Sequence, residues 1–169
     1  MDRRQWSERD LEGLKKAQAL AYYCALTVEG MLKEGMSEKK VALLMRNFMS
    51  DHDVQRYFHG PFVWFGERTM LNPRWSDDDF LPTDKVLEEG MPVILDIAPI
   101  VGGYAVDIGY STTFGPNERA RMMMDELSEL RELIPMRINQ GAPMDEVYLE
   151  IDRWIESRGY QSCHHHYPA

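Results

Sequence analysis

Two adjacent glycines, Gly102 and Gly103, separate two apolar runs and constrain the fold of this chain more than any other feature. Glycine has no Cβ, so both central positions of a two-residue primed turn can adopt positive φ without a steric clash. The sequence therefore predicts an antiparallel hairpin in which Val101 lies opposite Tyr104.

The predicted register brings two carboxylates, Asp96 and Asp107, to one face of the hairpin. Continued from the turn, it places Asp107 opposite Ala98 and Asp96 opposite Gly109. Directly paired residues share a face and side chains alternate along a strand, so the two aspartates become diagonal neighbours with backbones roughly 7–8 Å apart. Two acids on an apolar hairpin repel each other and resist desolvation, and a shared cation relieves both costs. The pair is the candidate metal site.

Composition excludes several classes of protein. The 169 residues suffice for one domain with a core, and we predict a single domain over 1–169. A net charge of −9 argues against nucleic acid or an anionic membrane surface as partner. We expect no membrane span, because no apolar run approaches ~20 residues, and no secretory signal, because residues 1–6 contain no apolar h-region. Two cysteines, Cys24 and Cys163, form no disulfide framework, so we expect a cytoplasmic protein with free thiols.

Apolar spacing and capping residues predict four helices, and two stretches rich in aromatic and β-branched residues predict strands. The expected helices run from about 8 to 34 after an N-cap at Ser7, onward from an N-cap at Ser37, from Asn117 to about 134, and from Pro143 to Gly159. The expected strands lie within 56–65 and 93–114, with a loop over 72–84 and a helical turn over 84–89.

The two halves of the chain contain segments of similar apolar pattern. Residues 35–54 align without gaps with residues 141–160 and keep the apolar pattern. The matching positions are Val41 and Val147, Leu43 and Leu149, and Phe48 and Trp154. One interpretation is coincidence between amphipathic helices; the other is a two-repeat fold whose second half-sheet is missing here. A lone half-sheet exposes a strand edge, which would allow a homodimer.

The order of these parts resembles the pita-bread metallopeptidase family, which includes methionine aminopeptidases, Xaa-Pro aminopeptidases, prolidases and creatinase. The resemblance rests on Gly-Met-Ser-Glu at 35–38, on the run from Leu87 into Asp96, and on Gly103-Tyr104 followed by Asp107 and then residues 111–115. It covers nearly the whole chain, and its specific portion is 87–115. It implies an α/β (α+β) fold with two helix-helix-strand repeats around a central antiparallel sheet, the second repeat incomplete in this chain.

The resemblance also implies a function. Asp96 and Asp107 would be two of five ligands for two divalent ions (Mn, Co, Fe or Zn) that activate water for hydrolysis of a short peptide, an Xaa-Pro bond or a small amide. The remaining ligands, one histidine and two glutamates, would follow in the second half, and the glutamates are not in this sequence. The family histidine falls near Ala169. The neighbouring run His164, His165 and His166 lacks the glycine that precedes it in the family, so none is assigned as the ligand.

Two departures from the family pattern favour a second hypothesis. The stretch 72–79 has no histidine where active family members carry one, and no arginine follows Asp107 within 109–113. These losses fit a non-catalytic pita-bread domain that binds peptide or protein. A third reading is a structural α/β domain whose aspartates face solvent on the wet side of an antiparallel sheet.

Other candidate residues receive plainer interpretations. His52 and His59 are predicted to be surface or loop groups, and the aromatic residues Phe58, Phe62, Trp64 and Phe65 are predicted to form core. The run 163–166 offers four adjacent donors, which cannot all reach one tetrahedral ion, so a strand start or a tail is the simpler account. Glu67 and Arg68 follow the strand and could face a pocket.

Overall fold

The computed structural model describes residues 6–70 and 76–161. Two long helices lead into a small sheet, and two more helices follow it. The elements are α1 (Glu8–Glu29), α2 (Glu38–Asp51), β1 (Tyr57–Phe65), β2 (Pro92–Val101), β3 (Tyr104–Ala105), β4 (Ile108–Thr113), α3 (Glu118–Asn139) and α4 (Met144–Ser157), with short 3₁₀ turns at Gly66–Thr69 and Asp77–Phe80. One compact unit contains α1, α2 and the strands, and another contains α3 and α4.

The sheet is antiparallel, with β2 between β1 on one side and β3 and β4 on the other. Val101 pairs with Tyr104 and Asp96 pairs with Gly109, which confirms the predicted hairpin register. Gly102 and Gly103 adopt φ values of 58° and 90°, as a primed turn requires. Asp107 lies in the short break between β3 and β4.

One face of the sheet forms the core against α1 and α2. The alternating residues Val93, Leu95 and Ile97 of β2 are fully buried on that face. They pack in one cluster with α1 residues such as Cys24 and with α2 residues such as Met45. The opposite face carries Asp96, and it is therefore the face that can meet a ligand.

A fully buried carboxylate, Glu38, ties three segments of the first unit together. Its oxygens accept hydrogen bonds from the Phe65 amide at 3.0 Å, from Arg68 Nε at 3.0 Å, and from the Thr83 amide and hydroxyl at 2.8 and 2.6 Å. A buried charge is tolerated when it is paired and hydrogen-bonded, and Glu38 meets both conditions. Arg68 therefore serves the fold rather than a pocket.

The helix starts follow the sequence, but some boundaries differ. Ser7 and Ser37 cap α1 and α2 as predicted. Helix α1 ends at Glu29 rather than near 34, with Gly30 as its C-cap, and α3 continues past Pro135 to Asn139. The helical turn predicted over 84–89 is wrong: Val86 forms an isolated bridge with Ser37 instead.

Helix lengths support the internal repeat. Helices α1 and α3 each have 22 residues, and α2 and α4 each have 14. The turns before α2 and α4 contain Gly35 and Gly141 with φ of 79° and 80°, at positions that the sequence alignment pairs. The second pair of helices therefore repeats the plan of the first pair.

Candidate metal centre

Three potential metal ligands from three parts of the first unit converge on the open face of the sheet. They are His59 on β1, Asp96 on β2 and Asp107 before β4, and their ligand atoms all lie within 4.8 Å of one another. His59 Nε2 is 3.4 Å from Asp96 Oδ1 and 3.3 Å from Asp107 Oδ1. The two aspartates predicted from the hairpin are thus brought together, and a histidine joins them.

The prediction that His59 is a surface or loop group is wrong, because His59 lies within β1 and its side chain is only 22% exposed. Phe62 pairs with Asp96, and strict alternation from Phe62 would point His59 at the helices. Irregularities in the ladder between Tyr57 and His59 and between His59 and Phe62 shift the register. His59 is therefore opposite Ala98, on the same face as Asp96.

The imidazole of His59 is held on two sides. Its Nδ1 lies 2.9 Å from the carbonyl oxygen of Gly60. Its ring stacks on Phe62, with centroids 4.7 Å apart and an angle of 4° between the planes. These contacts aim Nε2 at the two carboxylates.

Asp96 is the most perturbed group of the cluster. The pKa of its carboxyl is raised to about 6, chiefly by burial; the charge of His59 lowers this pKa, and the negative charge of Asp107 raises it. Its Oδ1 atom is buried and lacks a hydrogen-bond partner among the described residues, since the 3.4 Å approach of His59 is an ion-pair distance without hydrogen-bond geometry. Buried polar atoms are almost always satisfied, so this oxygen requires an explanation.

The donor set fits a divalent cation. Two carboxylates and one imidazole suit Zn²⁺, Co²⁺, Fe²⁺ or Mn²⁺. A cation among them would satisfy the orphaned Asp96 oxygen and offset the repulsion between the two acids.

An aromatic surface extends from His59 along the same face. Phe62 lies 5.8 Å from Trp64, centroid to centroid, and the Trp64 indole donates to the Phe80 carbonyl at 3.0 Å. The core prediction holds for Phe65, which is fully buried, and is wrong for Phe58, which is 78% exposed. Phe62 and Trp64 are half-buried on this face, and Phe62 lies directly opposite Asp96.

The positions where the family pattern is lost have other roles here. In β4, the Tyr110 hydroxyl donates to Glu29 of α1 at 2.7 Å, and Thr112 donates to the same carboxylate. This part of β4 therefore attaches the sheet to α1. Residues 71–75, which cover much of the stretch lacking the family histidine, and Cys163 with His164, His165 and His166 lie outside the described residues.

Comparison with known proteins identifies the chain. The model of metallopeptidase family M24 matches residues 12–167. An uncharacterized peptidase of Staphylococcus epidermidis is 25% identical over 155 residues, covering 91% of this chain and 42% of that protein. An uncharacterized peptidase of Methanocaldococcus jannaschii is 31% identical over 91 residues, covering 52% of this chain and 25% of that protein. The chain thus spans less than half the length of these relatives.

Solved structures agree on the fold. The prolidase of Pyrococcus horikoshii matches with a TM-score of 0.66 at 22% identity, over 76% of this chain and 35% of that one. The X-Pro aminopeptidase of Thermotoga maritima matches with a TM-score of 0.56 at 21% identity, over 78% of this chain and 34% of that one. The fold is therefore of the mixed helix and antiparallel-sheet pita-bread type. Within residues 6–70 and 76–161, no helix is both long and apolar enough to cross a bilayer. The chain belongs to metallopeptidase family M24.

Proposed function

We propose that this chain supplies two ligands, Asp96 and Asp107, to a peptidase that uses two divalent metal ions to hydrolyse a short peptide, an Xaa-Pro bond or a related small amide. The observation that carries the proposal is the pairing of two carboxylates on the open face, one of them with a buried and unsatisfied oxygen. Further ligands are expected from a part of the catalytic domain that this sequence does not contain.

The residues of this chain would hold the metals and shape the substrate site. Bound divalent ions supply a polarised carbonyl and a water that loses its proton near neutral pH. Asp96 and Asp107 would fix the ions against the sheet. Phe62 and Trp64 would pack against apolar parts of the substrate and exclude water beside the carboxylates, which strengthens the electrostatic interactions there.

The charge and cysteine content support a small-molecule or peptide partner in the cytoplasm. A net charge of −9 disfavours nucleic acid, and the chain has only two cysteines. A homodimer formed through a free strand edge stays a prediction, which the mass of the protein in solution would test.

A second candidate is a non-catalytic pita-bread domain that binds peptide or protein. It is favoured by the sequence of the stretch 72–79, which contains no histidine, and by the use of Tyr110 and Thr112 to hold Glu29 where the family has an arginine nearby. Under this hypothesis the open face would bind a chain without cutting it.

The test is metal analysis and peptide hydrolysis by the purified full-length protein and its Asp107→Ala variant, with Asp51→Ala on the exposed end of α2 as control. We expect two equivalents of transition metal and cleavage of Ala-Pro or Gly-Pro dipeptides. Asp107→Ala should lose metal and reduce the rate by more than about 100-fold, because the bound metal would supply the activated water, while Asp51→Ala should change neither. Full-length protein that carries no metal and is not destabilised by Asp107→Ala would contradict the enzyme and support the binding domain.

A further inference from the structure

We propose that His59 is a third protein ligand at this centre, so that His59, Asp96 and Asp107 bind one divalent cation without ligands from elsewhere. The inference rests on the proposed metal centre and adds to it. The resemblance that implies Asp96 and Asp107 places its histidine ligand in the second half of the domain, whereas His59 is on β1.

The first argument is the orientation of the ring. His59 Nδ1 is 2.9 Å from the Gly60 carbonyl oxygen, which can only accept a hydrogen bond, so Nδ1 donates to it. Nε2 is then the ring atom that faces the two carboxylates, at 3.3 Å from Asp107 Oδ1, a hydrogen-bond contact, and at 3.4 Å from Asp96 Oδ1. Two carboxylate oxygens that converge on one ring nitrogen form a site for a positive charge, which a proton on Nε2 or a metal ion supplies. A metal-bound histidine typically donates its other N–H to a backbone carbonyl in this way.

The second argument is the spacing of the ligand atoms. Zinc lies about 2.0–2.2 Å from imidazole nitrogen and carboxylate oxygen, so two ligands of one tetrahedral ion are separated by about 3.3–3.6 Å. The two distances from Nε2, 3.3 and 3.4 Å, match that separation. Charge-assisted N–H···O bonds are shorter, at about 2.7–2.9 Å. Both separations from Nε2 are longer than a charge-assisted bond and fit ligands of one cation, and the Asp107 contact is a hydrogen bond in the metal-free protein.

The third argument is preorganisation. The His59 ring is stacked on Phe62, and β1 is paired with β2 on both sides of the irregularity that turns His59 toward Asp96. Asp96 is fixed in the centre of the sheet. Two of the three ligands, His59 and Asp96, therefore lie on paired strands and lose little freedom when an ion binds, which favours affinity.

The ligand chemistry sets the metal preference. An imidazole raises affinity for Zn²⁺ and Co²⁺, whereas carboxylates alone suit Mg²⁺ and Mn²⁺. His59 should therefore matter strongly for Co²⁺ and little for Mg²⁺. A merely structural His59 would show no such difference between metals.

The test is titration of the metal-free 169-residue chain with Co²⁺, followed by visible absorption and calorimetry. Cys163 and the run His164, His165 and His166 could bind metal themselves. The parent protein for this test therefore carries Cys163→Ser, His164→Asn, His165→Asn and His166→Asn, and every variant is made in that parent. His59→Ala is compared with His52→Ala, which removes an exposed histidine from the end of α2. Circular dichroism and the melting temperature in EDTA check that each variant is folded. His59→Gln is the second variant, because its amide can still stack on Phe62.

We expect the parent to bind one equivalent of Co²⁺. The visible absorption spectrum of the bound Co²⁺ should differ between the parent and the His59 variants. His59→Ala and His59→Gln should weaken Co²⁺ binding by at least about 100-fold, since losing even an outer partner of a ligand costs about 10–100-fold. Mg²⁺ affinity should change by less than about 3-fold, and His52→Ala should behave as the parent.

Three results would overturn the inference, and they differ in what else they contradict. If Asp107→Ala abolishes Co²⁺ binding while both His59 variants bind as the parent does, His59 is not a ligand and the proposed peptidase centre stands. If the parent binds no Co²⁺, the three residues do not form a site by themselves and the inference fails, while the proposed peptidase centre, which takes further ligands, stands. If the parent binds Co²⁺ but Asp96→Ala and Asp107→Ala leave binding unchanged, the two aspartates are not ligands and the proposed metal centre itself is wrong.

Discussion

Asp96 lies opposite Gly109 in the ladder between β2 and β4, and a Cβ built on Gly109 would lie 4.0 Å from Asp96 Oδ2. The missing side chain leaves space beside the carboxylate on the open face. A larger residue at 109 would cover Oδ2, the neighbour of the Oδ1 atom that lies 3.4 Å from His59 Nε2. The pairing of an acid with a glycine thus leaves the Asp96 carboxylate accessible from the β4 side.

The metal-free protein should be stabilised at neutral pH by Asp96→Asn. Burial raises the pKa of Asp96 from its ordinary 3.8 to about 6, so the folded state takes up a proton more readily than the unfolded state does. The stability contributed by the protonated form is full below about pH 4 and is lost as the pH rises through about 6. At pH 8 Asp96→Asn should gain about 1–2 kcal/mol, discounted because the side chain is 23% exposed.

Urea unfolding in EDTA between pH 4 and pH 8 measures this effect. The difference between wild type and Asp96→Asn should grow with pH over that window. A difference that is constant with pH would show that Asp96 has an ordinary pKa in the folded protein.

Glu38→Gln should be strongly destabilising. The carboxylate accepts from Arg68 and from the Phe65 amide, and an amide cannot accept at both of its ends. Breaking a buried ion pair by removing one charge typically costs about 3–5 kcal/mol, and we expect about 3. Thermal and urea unfolding measure it.

The matched control is Glu67→Gln, which removes a carboxylate from an exposed ion pair with Lys85. Exposed pairs contribute little, so this change should leave the midpoint unaltered. Equal effects of the two substitutions would contradict the structural role of Glu38.

Gly13→Ala should destabilise the protein although alanine favours a helix. A Cβ at Gly13 would lie 2.1 Å from Tyr104 Cε2, so the ring must move and its hydroxyl must leave Asp10, to which it donates at 3.2 Å. Alanine gains about 1 kcal/mol in helix propensity, and the lost packing should exceed that gain by about 1–2 kcal/mol.

Gly30→Ala at the end of the same helix is the control. Its φ of −64° suits alanine and the nearest atom is 3.5 Å away, so we expect a gain of about 0.5 kcal/mol. The double variant Gly13→Ala, Tyr104→Ala should recover most of the loss, and additive effects would argue against the contact.

The Cys24 thiol should be inert in the native protein. Burial raises the pKa of Cys24 to about 12, so at pH 8 little thiolate forms, and its S–H lies 3.7 Å from the Met45 carbonyl. In a Cys163→Ser background, a chromogenic disulfide reagent should react only as the protein unfolds in urea. Immediate reaction at zero urea would show that Cys24 is accessible.

The hairpin and the helix caps were predictable because their signals are local. Gly102-Gly103 fixes a two-residue turn, and the strict period of strands then determines that Asp96 meets Gly109. Ser7 and Ser37 are N-caps, whose side chains accept hydrogen bonds from the first turn of each helix, and serine at such a position predicts a helix start. These choices need no knowledge of distant contacts.

His59 was missed because the interruptions in the β1 ladder reverse the face that alternation assigns. The only local signal is Gly60-Pro61, since a glycine and a proline inside a strand often mark a bulge. The end of α1 was also missed, because Met31 and Leu32 continue the helical spacing after the chain has left the helix at Gly30. Both errors arise where a local interruption, a ladder irregularity in β1 or the C-cap at Gly30, breaks a periodic pattern that the residue types alone would continue.

The carboxylate of Glu38 has a consequence for how the first unit opens. Arg68, bound to Glu38, also donates to the carbonyls of Asp79 and Leu81 at 3.0 Å. Helix α2, the end of β1 and the segment after the second 3₁₀ turn thus share one set of hydrogen bonds. If one of these segments opened alone, the Glu38 carboxylate would stay buried without some of its hydrogen-bond partners. In hydrogen exchange, the amides of Phe65 and Thr83 should therefore lose protection together, in one cooperative opening.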